Sequence, residues 1–225
     1  MSFEFIEMSM MARFLFAPST LPLTQLLMRS NLQALVNLFA FQSQQIDADT
    51  NQFRLIAGMG EFEKIPIQQL VIDPISISLS IVGERADMDK VFECIRQFLS
   101  QIDPKRRMDN PSLYTMTYQT QSTARLSFAC ERLLSDNLVN FISSTKDSFK
   151  PSGCASVDMS LSNLSFQVKF SSLSDTFFFM PKVLTIEPRA GSDPKEKLYY
   201  IVTPTDSDEH RRLVEDFDKK MSGAL

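Results

Sequence analysis

Residues 75–82 read ISISLSIV, and no other stretch of the chain constrains the fold as strongly. Ile75, Ile77, Leu79 and Ile81 fall on one side of an extended chain, and Ser76, Ser78 and Ser80 on the other. Successive side chains of a strand point to opposite faces, so strict period-two alternation requires one buried and one polar face. A strand inside an all-parallel sheet is covered on both sides and reads as a continuous apolar run, so this one belongs to an antiparallel sheet with a polar face. Gly83 ends the strand. Asp87 then caps a helix whose apolar stripe is Val91, Ile95, Phe98 and Ile102, with Phe92 and Leu99 beside it. Asp103-Pro104 stops that helix, because a residue before proline is pushed out of the helical region.

The same reasoning extends along the chain. Residues 2–16 read as one or two strands, ended by Pro18, Ser19 and Thr20. A helix follows, with Thr20 as N-cap and Pro22 in the first turn, and keeps helical spacing to about Gln42 with an interruption at Ser30-Asn31. A polar stretch runs from Gln42 to Gln52, and strands follow at Phe53–Ala57 and around Ile65–Ile72. Tyr114, Met116 and Tyr118 alternate, as do Leu126, Phe128 and Cys130, and a loop at Gln121–Thr123 would pair them as a hairpin. Ser135 caps a further helix with Leu138, Val139, Phe141 and Ile142 on its apolar side. A two-residue turn at Ser162-Asn163 sets Leu161, Met159, Val157 and Ala155 opposite Leu164, Phe166, Val168 and Phe170, a match that a one-residue slip destroys. Strands at Phe177–Met180, Val183–Glu187 and Leu198–Thr203 come next, then a last helix from about Asp206 with a variant capping box to Glu209.

Hairpins dominate over strand–helix–strand alternation. The fold class is therefore α+β: antiparallel sheet built from hairpins, with helices packed on one face. Two-strand-plus-helix units give it a ferredoxin-like character, a likeness of architecture that carries no function. The three later helix starts are unequally spaced, so no internal repeat is claimed. At 225 residues the chain is read as one α+β domain, 1–225. If it divides into subdomains, 1–102 and 113–225, it does so at 103–112, a charged segment with two prolines and Met108 as its one apolar anchor.

Composition narrows the function classes. Lys plus Arg is 23 against 27 for Asp plus Glu, a net charge of −4. Nucleic-acid binding draws most of its non-specific affinity from an excess of positive charge, which is missing here. No apolar run approaches the roughly 18 residues of a membrane span. Three cysteines, Cys94, Cys130 and Cys154, are too widely spaced for a zinc ribbon and too few for a disulfide framework. The N-terminus carries Glu4 and Glu7 where a secretory signal needs positive charge, so a cytosolic location is expected. Phenylalanine is abundant at 19 residues and methionine at 12, with no tryptophan; both fill cores and line adaptable apolar surfaces.

Reactive groups are few. His210 is the single histidine, set among Asp208, Glu209 and Arg211 and off the apolar stripe, which reads as a solvated helix residue. A triad must use it, and a multi-histidine metal site cannot be built from one chain. Asp206, Asp208 and Glu209 cluster, but a helix start favours acids for dipole reasons alone, so no metal and no cofactor is assigned. Gly58-Met59-Gly60 lacks the third glycine and the following helix of a dinucleotide site and reads as a turn between strands. Ser143–Lys146 has the S-x-x-K spacing at the wrong end of a helix. Cys94 and Cys130 read as small buried hydrophobes. Lys105-Arg106-Arg107, Arg211-Arg212 and Lys219-Lys220 read as solvated surface.

The block Phe177-Phe178-Phe179-Met180 stands apart. Only alternate residues of a half-exposed strand can be buried, so three consecutive phenylalanines mean a strand covered on both faces or an exposed patch. Phe177, Phe178, Phe179 and Met180 are the candidate partner interface. The reading that follows is a non-enzymatic cytosolic binding or assembly protein, acting on a protein partner or on itself as a homo-oligomer, with serine-rich strand faces able to pair across a two-fold axis. The alternatives are a carrier of a small apolar ligand in a Phe- and Met-lined cavity, and a carboxylate-based enzyme using Asp73, Glu84, Asp87 or Asp89.

Overall fold

The computed structural model describes residues 3–49, 52–145, 162–168 and 182–223. Its strands are β1 (Glu4–Phe16), β2 (Ser43–Asp49), β3 (Gln52–Phe62), β4 (Ile65–Ile72), β5 (Ser76–Val82), β6 (Leu113–Arg125), β7 (Leu164–Val168), β8 (Lys182–Pro188) and β9 (Leu198–Thr203). Its helices are α1 (Leu23–Leu26), α2 (Arg29–Leu38), α3 (Arg85–Ile102), α4 (Asp136–Thr145) and α5 (Ser207–Ser222). The strands hydrogen-bond in the order β2-β3-β4-β5-β1-β6-β9-β8-β7, with antiparallel registers. This is the α+β class expected from the alternation of residues 75–82.

The described chain falls into two compact units. The larger holds Met8–Gln121 and Thr203–His210. Its sheet follows from register. Phe14 lies opposite Ile77, Ala12 opposite Leu79 and Met10 opposite Ile81, while Ile72 and Leu70 of β4 continue the same rows. All are buried, and they share one core with Leu35 of α2 and Met88, Val91, Ile95 and Leu99 of α3. The Phe92 ring stacks on Phe14 with centroids 3.7 Å apart. Each such side chain contributes roughly 1.5–3 kcal/mol on burial, so the helices are held on this sheet face by the rows beneath them.

Local chemistry sets the ends. Helix α3 begins two residues before Asp87: Glu84 is the N-cap and Asp87 closes a reciprocal capping box with it. The helix predicted from Thr20 divides at Leu27-Met28 into α1 and α2, and the amide of Asn31 donates to the Gln25 carbonyl at 2.7 Å across the break. Most of the polar stretch 42–52 is strand β2, paired along its length with β3. In segment 103–112 Met108 is fully buried, and Arg96 donates to the Met108 carbonyl at 2.6 Å.

The smaller unit comprises residues up to Glu7, Ser122–Val202 and the chain from Arg211. Its core gathers Ala124, Leu126, Phe128 and Cys130 with Ile186 of β8, Tyr199 and Ile201 of β9, and Val214 of α5. Two polar joints fix it. The Tyr199 hydroxyl accepts the Cys130 amide at 2.8 Å, and the buried Asp218 carboxylate accepts both the amide and the hydroxyl of Ser127, at 2.6 and 2.8 Å.

Two expectations change here. There is no turn at Gln121–Thr123: β6 runs through it, because those residues lack the glycine, asparagine or proline of a tight turn and threonine favours strand. Leu126, Phe128 and Cys130 are buried as expected, but after β6 rather than in a returning strand. On α4, Leu138, Val139 and Phe141 are exposed, Phe141 by 57%. The strand predicted at 155–161 lies outside the described residues, and β7 pairs with β8, Leu164 facing Ile186.

Candidate functional site

The side chains with the greatest chemical potential meet where α3 and α5 begin, in the larger unit. His210 is completely buried there, contrary to its reading as a solvated residue. The charged neighbours in sequence point elsewhere on the helix, and position 210 turns toward the end of β9. Its Nδ1 lies 2.8 Å from Thr203 Oγ1, which in turn lies 2.7 Å from Thr205 Oγ1. The Thr120 hydroxyl donates to the Thr205 carbonyl at 2.8 Å. Ser207 Oγ accepts the Arg85 amide at 2.8 Å, so α5 supplies a cap for α3. The Arg85 guanidinium donates to Asp206 at 2.9 Å and to Asp89 at 3.1 Å, and lies 4.5 Å above the Tyr118 ring. Asp206 also accepts the Glu209 amide at 3.1 Å, which is the predicted N-terminal capping of α5. The cluster joins β6, β9, α3 and α5 through hydrogen bonds between the protein's own groups.

The carboxylates named from the sequence are likewise engaged. Asp73 accepts the amides of Ile75 and Ser76 at 3.0 and 2.7 Å and the Ser76 hydroxyl at 2.6 Å, closing the turn into β5. Glu84 and Asp87 form the capping box, and Asp89 holds Arg85. They stand on the β4–β5 turn and on the first turns of α3. Asp103, buried, accepts the Arg107 guanidinium at 2.9 Å, and this bond above all holds its carboxyl at about 2, well below the usual range. On the same helix the guanidinium of Arg96 beside Glu93 brings that carboxyl to about 2 as well. Burial, with Glu63 and Glu93 adding to it, pushes the Cys94 thiol up, the opposite of an activated thiolate. Among the described residues no three metal-ligating side chains cluster.

Of the basic runs, Arg107 is tied to Asp103, and Arg106 to Asp109 at 2.9 Å. Arg211 lies 5.1 Å over the Phe5 ring, and Arg212 pairs with Asp216 at 3.6 Å. Gly60 serves a close approach rather than a phosphate: a Cβ there would lie 2.5 Å from the Phe39 carbonyl. Phe177, Phe178, Phe179 and Met180 lie outside the described residues, as do Cys154 and Lys146.

The other face of the larger unit's sheet carries the serine row of β5. Register puts Met11 opposite Ser80, Arg13 opposite Ser78, Gln69 opposite Ser80 and Val71 opposite Ser78, all on the side away from α2 and α3. Met11 is 43% exposed there. Arg13 and Asp73 sit side by side at 4.0 Å. The serine face was legible in the sequence. Met11 and Arg13 were not singled out, although the parity of Phe14 and Phe16 already sends both to the polar side. Among the described residues no helix is long and apolar enough to cross a membrane. Set against protein-family models, curated proteins and solved structures, the chain gives no match.

Proposed function

We propose that this chain is a non-enzymatic, cytosolic binding or assembly protein, and that it self-associates through the serine-bearing sheet face of its larger unit. The observation that carries the reading is the row Met11, Arg13, Ser78 and Ser80, with an exposed methionine beside small hydroxyls. Serine hydroxyls both donate and accept, so a two-fold axis can set them against themselves. Arg13 and Asp73 carry opposite signs beside one another, and a two-fold exchange can pair each with its counterpart. Among the described residues, His210 is bonded to Thr203 and Arg85 to Asp206, so both join elements of the larger unit.

The test is light scattering coupled to size exclusion, on the wild type and on Met11→Asp. A dimeric wild type and a monomeric variant with unchanged circular dichroism support the reading. A wild type that stays monomeric at high concentration, or a Met11→Asp protein that stays dimeric, ends it. Phe178→Asp tests separately the interface proposed from sequence at Phe177–Met180: loss of association in that variant alone moves the contact to the phenylalanine block.

A further inference from the structure

The loop between β8 and β9 carries the sequence Arg189-Ala190-Gly191-Ser192-Asp193-Pro194, with a guanidinium three residues ahead of a hydroxyl. We propose that Ser192 is a phosphorylation site for a serine/threonine kinase that reads basic charge, with Arg189 as the residue it recognises. Kinases sort substrates by charge pattern as well as by the acceptor hydroxyl, and a guanidinium pairs with a cleft carboxylate through two parallel hydrogen bonds. Of all the arginines in the chain, only Arg132 and Arg189 have a hydroxyl side chain three residues on, at Ser135 and Ser192.

The structure separates the two. Ser135 opens α4: its hydroxyl accepts the Leu138 amide at 3.4 Å, and its carbonyl accepts the amides of Leu138 and Val139 at 2.9 and 3.0 Å. A kinase takes its substrate as an extended segment, so Ser135 is reached only by undoing the first turn of that helix. Ser192 asks for much less. Arg189, Ala190, Gly191 and Asp193 are exposed, and Ser192 is half-buried. The Ser192 amide and hydroxyl both donate to the Arg189 carbonyl, at 3.2 and 2.7 Å. Asp193 accepts the Lys195 amide on its side chain and the Glu196 amide on its carbonyl, both at 2.9 Å. These bonds lie within the loop, and water replaces them when it opens.

The fixed points of the loop are at its two ends. The Arg189 amide donates to the Leu198 carbonyl at 2.9 Å. The Lys197 carbonyl accepts the Leu126 amide at 3.0 Å, and Lys197 Nζ donates to the Ser127 carbonyl at 2.7 Å. Between them Gly191, at φ 78°, makes the turn and adopts an extended conformation equally well. The tip therefore opens into a kinase cleft while Tyr199, Ile201 and Ile186 stay packed in the core of the smaller unit.

In the transfer step Ser192 Oγ attacks the γ-phosphorus of ATP, which the kinase holds with Mg²⁺. The Oγ–P bond forms as the bond from that phosphorus to the β,γ-bridging oxygen breaks, ADP leaves, and the hydroxyl proton passes to the kinase's catalytic carboxylate. The product sets about two negative charges beside Asp193 and between Arg189 and Lys195, which stand equally far along the chain on either side.

The intact chain is incubated with Mg²⁺, ATP and calmodulin-dependent protein kinase II, which selects arginine three residues before its acceptor. The phosphate is then located by mass spectrometry of the digested product. Wild type, Ser192→Ala, Ser135→Ala and Arg189→Gln are compared. The expected results are phosphate on Ser192, incorporation lost in Ser192→Ala and kept in Ser135→Ala, and a kcat/KM about tenfold lower for Arg189→Gln, the worth of one charge-assisted hydrogen bond. Absence of phosphate from the wild type, most of it at Ser135 or another residue, or an Arg189→Gln chain labelled as fast as the wild type overturns the proposal. Should a variant fail to fold, the position of the phosphate on the wild type decides alone.

Discussion

Replacing Asp103 by asparagine should cost this protein about 3 kcal/mol, and the structure says why. The carboxylate is buried. It accepts the Arg107 Nε and amide on one oxygen, both at 2.9 Å, and Arg107 Nη2 and the Lys105 amide on the other, at 3.2 and 3.1 Å. Whichever way the asparagine amide is turned, its NH2 meets two donors and accepts neither. Two bonds are lost and donors oppose donors, beside a guanidinium left without its charge partner. The carboxyl itself sets the scale: held at about 2 rather than 3.8, it favours the charged over the protonated form by about 2 kcal/mol. An amide, lacking the hydroxyl's single donor geometry, does somewhat worse. With a urea dependence of about 2 kcal/mol/M, the midpoint of Asp103→Asn should fall by about 1.5 M near neutral pH. The pH dependence supplies a second reading. A depressed carboxyl contributes fully above its unfolded value and loses that contribution as the pH falls toward about 2. The gap between wild type and variant should therefore narrow through that window, and Glu93, shifted in the same sense, cancels from the difference. A midpoint change under about 0.3 M, or a gap that ignores pH, would refute the assignment of Asp103 as the anchor of this turn.

Two further substitutions probe the backbone of the larger unit by urea unfolding. Gly60→Ala should cost about 2–3 kcal/mol, because its Cβ would press on the Phe39 carbonyl at 2.5 Å and on the Phe41 ring at 2.6 Å; Gly58→Ala, whose Cβ meets chiefly the Ser43 hydroxyl at 3.0 Å, serves as the mild control. Lys64→Gly should stabilise by about 1 kcal/mol, because Glu63 and Lys64 form the two-residue turn between Phe62 and Ile65 with φ of 49° and 68°, a left-handed pair that glycine adopts without strain.

What the sequence made legible was whatever depends on neighbours in the chain. Alternation at 75–82 located β5 and the fold class, and the stripe of α3 predicted its buried face, with Val91, Ile95 and Leu99 all at the core. Asp206 capped α5 as read. What escaped depends on partners distant in sequence. His210 looked solvated because its neighbours are charged, yet the residue that claims it, Thr203, sits across the bend from β9 into α5. The 121–123 turn was inferred from two alternating runs that could pair; the chain instead pairs β6 with β1, which begins 109 residues before it, and with β9, which begins 85 residues after it, roughly the scale at which local pattern carries no information. Segment 103–112 looked like a linker by composition, but Asp103 and Met108 are among the buried residues.

Unequal spacing hid one further regularity. The chain opens with a strand, passes through helices α1 and α2, runs a meander β2 to β5 and closes with helix α3. From β6 the same order resumes among the described residues: a strand, helix α4, the strands β7 to β9, then helix α5. In both passages the opening strand hydrogen-bonds the last strand of its meander, β1 with β5 and β6 with β9. Equal helix spacing is not needed for this, because connecting segments can lengthen at small entropic cost while the order of pairing stays fixed. Repeated connectivity also explains where the polar joints fall. The closing helix of each passage must be pinned to the sheet after a long excursion, and buried polar groups do so: Ser207 and Arg85 where α3 begins, Asp218 and Ser127 along α5.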